Sequence, residues 1–439
     1  MSPTLGPSER PQQRGQAHSG TEPPGTLVVD VHNRDNDTLK GAMRKIDFSP
    51  PSLTEDDIAA VADVLRSGWI TTGPISRTFE REIAAMCGTP EVVALNSCTA
   101  AMEIALRVLG VGPGDEVVVP AYTYTASAAV AGHVGARIKL VDSDEDDYAP
   151  RPDQIAAAVT DRTKAIMVVD LGGAPYPTPD LIAALEARGV GRPTSLLGDI
   201  GRPVVIVDAA HSLGATVGSA HTGALGDLTA FSFHAVKNLT TAEGGALTWR
   251  HGLPIGSEEL ARSVRRLALH GQTKDALAKH GPGDWEYDIV ELGYKCNMPD
   301  VLAAFGLSQL RRYDQILAQR DELMKAYAEG LGDAVELRTG DTDTSRSSHH
   351  LAMVRLPAAD GPRRDELIRG LAAQGVSANV HYKPLPLLTA YMKLGFDGRD
   401  YPRAVAHFRR EITLPLHGLM TVDDAMYVAG VLRDLVGRE

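Results

Sequence analysis

Short, predominantly apolar runs recur along the first two-thirds of the chain. They lie at Val92–Leu95, Val117–Val119, Ile138–Val141, Ala165–Val169, Val204–Val207, Leu228–Phe233 and Ala246–Trp249. Runs that are apolar on both alternating faces predict strands of a mostly parallel sheet covered by helices on each side. Several of the intervening segments carry a helical period. Met102, Ala105, Leu106 and Leu109 share one face of a helix that follows Asn96-Ser97-Cys98-Thr99. Upstream, Ser52-Leu53-Thr54-Glu55 precedes an amphipathic run through Leu65, with Asp56 and Asp57 in its first turn and Gly68 as its stop. Thr78 to Met86 predicts a second helix. Beyond about residue 305 the pattern changes. One long helix is expected over Val301 to Leu331, followed by strands at Leu351–Leu356, Val376–Val380 and Glu411–Leu414 among helical stretches.

These patterns predict three regions. Residues 1–44 read as a disordered tail, because Ser2 to Gly25 is rich in Pro, Gly, Ser, Gln and Arg and cannot offset its ordering entropy. It lacks the apolar stretch of a secretory signal. Leu27-Val28-Val29 is an apolar island within it. Residues 45–305 form a large α/β domain and residues 306–439 a smaller α+β domain. Gly189 to Pro203 reads as an irregular loop.

Composition narrows the class. With 439 residues, 43% hydrophobic and 23% charged, the chain is an ordinary globular protein. Its three cysteines, Cys87, Cys98 and Cys296, are too few and too scattered for a disulfide framework or a zinc site. They suit a reducing compartment, so a cytoplasmic location is expected, and no metal. No apolar run is long enough to span a membrane. The net charge of −12 argues against nucleic acid as a partner.

Three segments carry candidate chemistry. Val204-Val205-Ile206-Val207-Asp208 puts a carboxylate at the end of a buried strand, where open α/β sheets bind ligands; an N-cap or structural ion pair would also explain it. Phe231 to Gly245 puts Lys237 just beyond another strand. Taken alone, such a lysine is usually a solvated charge. Yet the chain holds 11 lysines against 33 arginines, and only lysine can form a Schiff base. Ser97-Cys98-Thr99-Ala100-Ala101 opens a helix with hydroxyls and free amides, which suits an anion as well as an ordinary cap. Together, an amine, a strand-end carboxylate and an anion cup match the needs of pyridoxal phosphate.

The chain also resembles the DegT-type sugar aminotransferases, a group of fold-type I pyridoxal-phosphate enzymes. The resemblance rests on Gly68-Trp69-Ile70-Thr71-Thr72-Gly73-Pro74, Asp208 to Gly214, Phe231 to Gly245 and Gly293 to Asp300. Val380-His381-Tyr382-Lys383-Pro384 and Leu414-Pro415-Leu416 extend it toward the C-terminus. It is nearest to the branch that makes 4-amino sugars on UDP, of the aminoarabinose and altrosamine type. This resemblance implies a seven-stranded, mostly parallel sheet with helices on both faces and a smaller C-terminal α+β domain. It implies that Lys237 bonds the cofactor and shuttles protons, that Asp208 holds the pyridine nitrogen protonated, and that His211 lies beside the ring or its oxygen. Tyr124 would stack on the ring. Thr99, Ala100 and Ser232 would bind the phosphate, joined by Asn297 from the partner of a homodimer with shared sites. Trp69, Thr71 and His381 would contact substrate.

The expected activity is amino transfer from an amino acid, glutamate by expectation, to a nucleotide-linked 4-keto sugar in amino-sugar or antibiotic biosynthesis. A keto-cyclitol or another natural-product intermediate is the alternative acceptor. A pyridoxamine-dependent sugar dehydratase would carry histidine in place of Lys237, and a non-catalytic sensor should have lost part of the set. Two departures from the family pattern bear on the substrate: Asp170-Leu171-Gly172-Gly173 replaces a His/Tyr-type run, and the Gly189–Pro203 loop is longer than usual. His349-His350 is expected as a turn or strand edge. Arg265-Arg266, Arg311-Arg312 and Arg409-Arg410 are expected on solvated helix faces.

Overall fold

Alternation within single strands shows why those apolar runs had to be strands. In the computed structural model, Val204 and Ile206 enter the core on one side of a central sheet, and Val205 and Val207 enter the core on the other. Ala165 and Met167 against Ile166 and Val168 repeat the arrangement on the neighbouring strand. The structure describes residues 44–189, 200–274, 286–357 and 360–437. The predicted tail with its Leu27–Val29 island, and most of the Gly189–Pro203 loop, fall outside the described residues.

In chain order the strands are β1 (Val92–Leu95), β2 (Glu116–Pro120), β3 (Arg137–Val141), β4 (Thr163–Val169), β5 (Val204–Asp208), β6 (Thr216–Val217), β7 (Ala220–His221), β8 (Leu228–Ser232), β9 (Gly245–Trp249), β10 (Glu336–Arg338), β11 (Ser345–Arg346), β12 (Ala352–Arg355) and β13 (Glu411–Leu414). Seven of them form the central sheet in the order β1-β9-β8-β5-β4-β2-β3. β2, β3, β4, β5 and β8 pair in parallel, while β9 runs antiparallel to both β1 and β8. β10, β12 and β13 form a three-stranded antiparallel sheet with a core of its own, built on Leu323, Tyr327, Val354, Ile412 and Val428.

The helices that matter to the site are α1 (Glu55–Ser67), α2 (Pro74–Cys87), α3 (Cys98–Val108) and α4 (Thr125–His133). α1 starts where expected, on a capping box in which Thr54 and Asp57 exchange side-chain and backbone bonds, and stops at Gly68 with φ +76°. α2 begins at Pro74. Its open amides are met from far along the chain: both carboxylate oxygens of Asp300 accept from Gly73, Ile75 and Ser76 N–H groups at 2.7–3.1 Å. Two distant motif segments thus hold each other in place.

Three expectations change. Residues 301–331 are not one helix but two, Asp300–Leu310 and Tyr313–Leu331. Arg312 leaves helical geometry (φ −112°, ψ 15°), and its guanidinium donates at 2.9 Å to both the Ser52 carbonyl and Asp57 Oδ2. Val376–Val380 forms no strand. Val376 bridges Ile46 and Asn379 bridges Thr413, so two different neighbours take one pair each and no ladder develops. The Arg265, Arg266 and Arg312 guanidinium groups are not simply solvated, since each is ion-paired, to Glu80 (2.6 Å), Glu291 (2.5 Å) and Asp57 (2.9 Å) respectively.

The edge that carries the site is clamped from behind. Asp227 is fully buried at the start of β8 and receives two bonds from the buried Arg202 guanidinium (2.6 and 3.0 Å), one from Arg250 and one from the Val205 N–H. An ion pair so enclosed is tolerable because every carboxylate lone pair has a donor. It ties β5 to β8, the two strands whose far ends bear the candidate residues. All three cysteines are buried free thiols. Among the described residues no helix is long and apolar enough to cross a membrane.

Candidate active site

Asp208 lies opposite Val169 of β4 and Ala230 of β8 in parallel register, so the carboxyl ends of three adjacent strands open onto one cleft. The cleft has a volume of about 350 Å³ and is lined by Thr99, Tyr124, Asp208, His211, Ser232 and Lys237, with His381 and Tyr382 on its far wall. The topology therefore gathers seven of the predicted residues. Ala100 sits beside the cleft but not in its lining, and its N–H donates to the Ser97 hydroxyl at 3.0 Å as an ordinary N-cap bond.

Asp208 is buried (5% exposed). Its Oδ2 accepts from the Ser127 hydroxyl at 2.6 Å, and its Oδ1 accepts from the Ala210 N–H at 3.2 Å and the Cys98 thiol at 3.6 Å. Burial pushes its pKa up, against these bonds and the charge of Lys237. Among the described residues no basic side chain lies within ion-pair reach of it. It is thus an anion held by neutral donors, with the cleft before it.

Lys237 lies on a loop that closes on Phe233. The Phe233 N–H donates to the Gly244 carbonyl (2.9 Å), the Thr241 N–H donates to the Phe233 carbonyl (2.9 Å), and the Lys237 N–H donates to the His234 carbonyl (2.9 Å). The half-buried amine has its pKa lowered to about 8 by desolvation, with Asp208 pulling the other way. Such an amine is neutral and nucleophilic at a lower pH than an ordinary lysine.

α3 points its first turn at the cleft because β9 lets it approach closely. A Cβ at Gly245 would lie 2.3 Å from both the Cys98 nitrogen and the Ser97 carbonyl carbon. Only glycine leaves this gap, which brings the amides and hydroxyls of Ser97 to Thr99 beside Ser232.

His211 is buried. Its Nδ1 accepts from the Gly172 N–H at 3.1 Å and its Nε2 lies 3.1 Å from the Tyr382 hydroxyl. Burial and the nearby Lys237 hold its pKa well below the usual imidazole range, and His350, its ring tilted against His211 at 4.4 Å, is shifted the same way. The His349-His350 pair does precede a strand, β12, but both rings are buried, and His350 packs against His211 behind the cleft. Asp170, in the run that departs from the family pattern, accepts from the Ser212 hydroxyl (2.5 Å) and the Tyr176 N–H (2.8 Å) and holds the turn carrying His211.

Asn297, Trp69 and Thr71 do not line this cleft. Asn297 donates to the Thr72 hydroxyl at 2.5 Å, and both residues line a second cavity of about 350 Å³ with Arg77 and Arg265. Trp69 Nε1 donates to the Thr72 carbonyl at 3.3 Å. Sequence reasoning assigned no role to Ser127, Tyr382 or His350; Tyr382 stood within a quoted motif, which was the available signal. Away from the cleft, Asp321, Asp341 and His349 bring ligand atoms within 4.8 Å of one another, a grouping the expectation of no metal did not include.

A cofactor with a basic ring nitrogen, an aldehyde and a phosphate fits this donor set: an enclosed carboxylate without a cation, an amine with a lowered pKa, and an amide-rich helix start. Comparison with known proteins agrees. Residues 51–433 match the DegT/DnrJ/EryC1/StrS aminotransferase family. The spore coat polysaccharide biosynthesis protein SpsC of Bacillus subtilis (strain 168) is 36% identical over 394 residues, covering 89% of this chain and 96% of SpsC. The UDP-4-amino-4-deoxy-L-arabinose–oxoglutarate aminotransferase of Shewanella sediminis (strain HAW-EB3) is 35% identical over 402 residues, 89% of this chain and 97% of that protein. Spr1654 of Streptococcus pneumoniae in its PLP form superposes with a TM-score of 0.86 at 44% identity, covering 90% of this chain and 99% of that one. The chain belongs to the DegT/DnrJ/EryC1/StrS aminotransferase family and is a pyridoxal-phosphate-dependent aminotransferase.

Proposed function

We propose that this enzyme transfers an amino group from glutamate to a keto sugar carried on a nucleotide, with the 4-keto carbon as acceptor. The observation that carries this reading is the likeness, over nearly all of both chains, to a relative named for a UDP-4-amino sugar and oxoglutarate. Bound pyridoxal phosphate supplies an aldehyde that takes up amines and a ring that accepts the electron pair left when a carbon beside the nitrogen loses its proton. The chain's own groups do the rest. Lys237 would hold the cofactor's aldehyde carbon and carry a proton to and from the substrate carbon; its lowered pKa keeps part of the amine neutral for that work. Asp208 would hold a proton on the ring nitrogen, Tyr124 would cover the ring, and the start of α3 with Thr99 and Ser232 would receive the phosphate. His381, on the cleft wall, is assigned to the substrate; Trp69 and Thr71 lie outside this chain's cleft and are assigned to the substrate of a partner's site.

A single-turnover screen tests the acceptor. The enzyme is first converted to its aminated form with glutamate and then mixed with UDP-linked 4-keto sugars or with keto-cyclitols. Amination of the sugar nucleotides at rates at least about tenfold above the cyclitols is expected; the reverse order moves the enzyme to the cyclitol class.

We also assign Asn297 to the partner's site in a homodimer. Its place outside its own chain's cleft supports this, as does the exposed apolar segment Tyr287, Ile289, Val290 and Leu292, the last 93% exposed. In a two-fold dimer, Lys237→Ala and Asn297→Ala would both fall in one site and leave the other intact. Equal mixing should produce about half mixed dimers and thus about a quarter wild-type sites, assayed at limiting cofactor. Mixed dimers, confirmed by differential tags, that regain nothing would place Asn297 in its own chain's chemistry or outside the chemistry altogether.

A further inference from the structure

Hydrogen-bond direction around His211 decides which group in the cleft has a proton to give. A backbone N–H only donates, so the 3.1 Å bond from Gly172 makes Nδ1 of His211 an acceptor with a bare lone pair. The ring is neutral, because it is buried against the His350 ring and feels the Lys237 amine and His381, while its Nδ1 already accepts a bond. Its single proton is therefore on Nε2 and is directed at the Tyr382 oxygen 3.1 Å away. The oxygen accepts there, which leaves the phenol's own proton for another partner. Among the described residues the Tyr382 hydroxyl has no second hydrogen bond, and the side chain lines the cleft, with its ring tilted against Tyr124 at 5.6 Å.

The lock on this tautomer is built from several elements. Gly172 has φ +70°, and its carbonyl accepts from both the His350 and Leu351 N–H groups (2.9 and 3.1 Å), which fixes the direction of the preceding N–H. The His350 ring packs tilted against His211, and its own proton is directed away. Asn238 donates its amide N–H to the Ser348 carbonyl at 2.8 Å, so its oxygen faces His350 Nδ1 at 2.9 Å and receives that proton. Protonating His211 at Nδ1 would set two N–H groups against each other at Gly172.

We propose that Tyr382, not His211, is the hydrogen-bond donor this cleft presents to an oxygen of its ligand, and that His211 is a positioning residue whose proton is committed to Tyr382. The acceptor is an anionic or carbonyl oxygen, either the ring oxygen of pyridoxal phosphate or an oxygen of the substrate. The proposal rests on the aminotransferase reading for the identity of the ligand, but not for the direction of the bonds.

Tyr382→Phe removes one oxygen and keeps the ring. With pyridoxal phosphate alone as the probe, absorbance of the bound cofactor is titrated against pH. If the cofactor's oxygen is the acceptor, losing the donor raises the midpoint by about 0.5 pH or more and weakens cofactor affinity several-fold. If the acceptor belongs to the substrate, the titration stays put and KM for glutamate or for the keto sugar rises about tenfold with little change in the other half-reaction. Either result supports the proposal and names the source. A folded variant with titration, cofactor affinity and both half-reactions within twofold of wild type overturns it. Should the variant misfold, ¹⁵N spectra of histidine-labelled wild type, with His211→Gln to assign the signal, decide the question: a proton on Nε2 is expected, and a proton on Nδ1 refutes the proposal. Neither the cofactor titration nor the tautomer needs an acceptor sugar. A failed sugar screen with a shifted titration would thus overturn the function and spare this inference, and the converse result would do the opposite.

Discussion

Lys237→Ala should abolish turnover and with it the visible absorbance that pyridoxal phosphate acquires on binding the wild-type protein. No other amine lines the cleft among the described residues, so nothing replaces it as nucleophile or as proton carrier. Loss of a group that serves both purposes should slow transamination by well over about 10³-fold. The fold should survive, because the loop is closed by backbone bonds at Phe233 and His234 rather than by the amine. Melting temperature and circular dichroism close to wild type, with activity at background, is the expected pair of results. The wild-type apoprotein offers a second measurement. Because burial lowers the amine's pKa to about 8, its neutral fraction grows as pH rises toward that value. The rate of cofactor uptake should therefore climb from pH 6 and level off above about pH 8, where a lysine of ordinary pKa would still be climbing. Near wild-type transamination by Lys237→Ala would remove the assignment of the whole cleft.

Lys237 and Asp208 were legible in the sequence for a physical reason. Asp208 ends a strand buried on both faces, a nearly continuous apolar run in which a carboxylate stands out, and Lys237, in the loop beyond β8, stands out as a lysine in an arginine-rich chain. Ser127 and Tyr382 had no such signal. Ser127 is one hydroxyl in the small-residue run of α4, and Tyr382 reaches the cleft from a segment more than a hundred residues beyond Lys237, so only the topology shows their partners. His350 looked like an edge residue because pattern alone does not reveal that the segment leading into β12 is bonded to Gly172. The break at Arg312 was invisible for the opposite reason. Both helices carry the same period, and the interruption is set by Ser52 and Asp57, far away in sequence. Val376–Val380 had the composition of a strand but not the neighbour that makes one, since pairing is a property of two segments.

Asp208→Asn separates charge from shape in the same cleft. The amide would keep its oxygen toward the Ala210 N–H and turn its nitrogen toward Ser127. The Ser127 hydroxyl is free to reverse and donate to Thr123 Oγ1, which lies 2.9 Å from it. Every hydrogen bond thus has a replacement, and the substitution removes an enclosed negative charge that burial disfavours. Stability without cofactor should hold or rise, since an unpaired buried carboxylate opposes folding. Turnover should move the other way. On the proposed assignment, the ring nitrogen of bound cofactor would lose the anion that keeps it protonated, and the electron pair released at the substrate carbon would be less well accommodated. A low-dielectric site makes such a charge worth several kcal/mol in the barrier, on the order of 10³-fold in rate. Single-turnover rates with glutamate, set beside melting curves of the apoprotein, give both signs in one variant. A rate loss below about tenfold would contradict the assigned contact with the ring nitrogen. A large fall in apoprotein stability would instead make Asp208 a structural carboxylate, joined to Ser127 and Ala210 for the sake of the sheet edge alone.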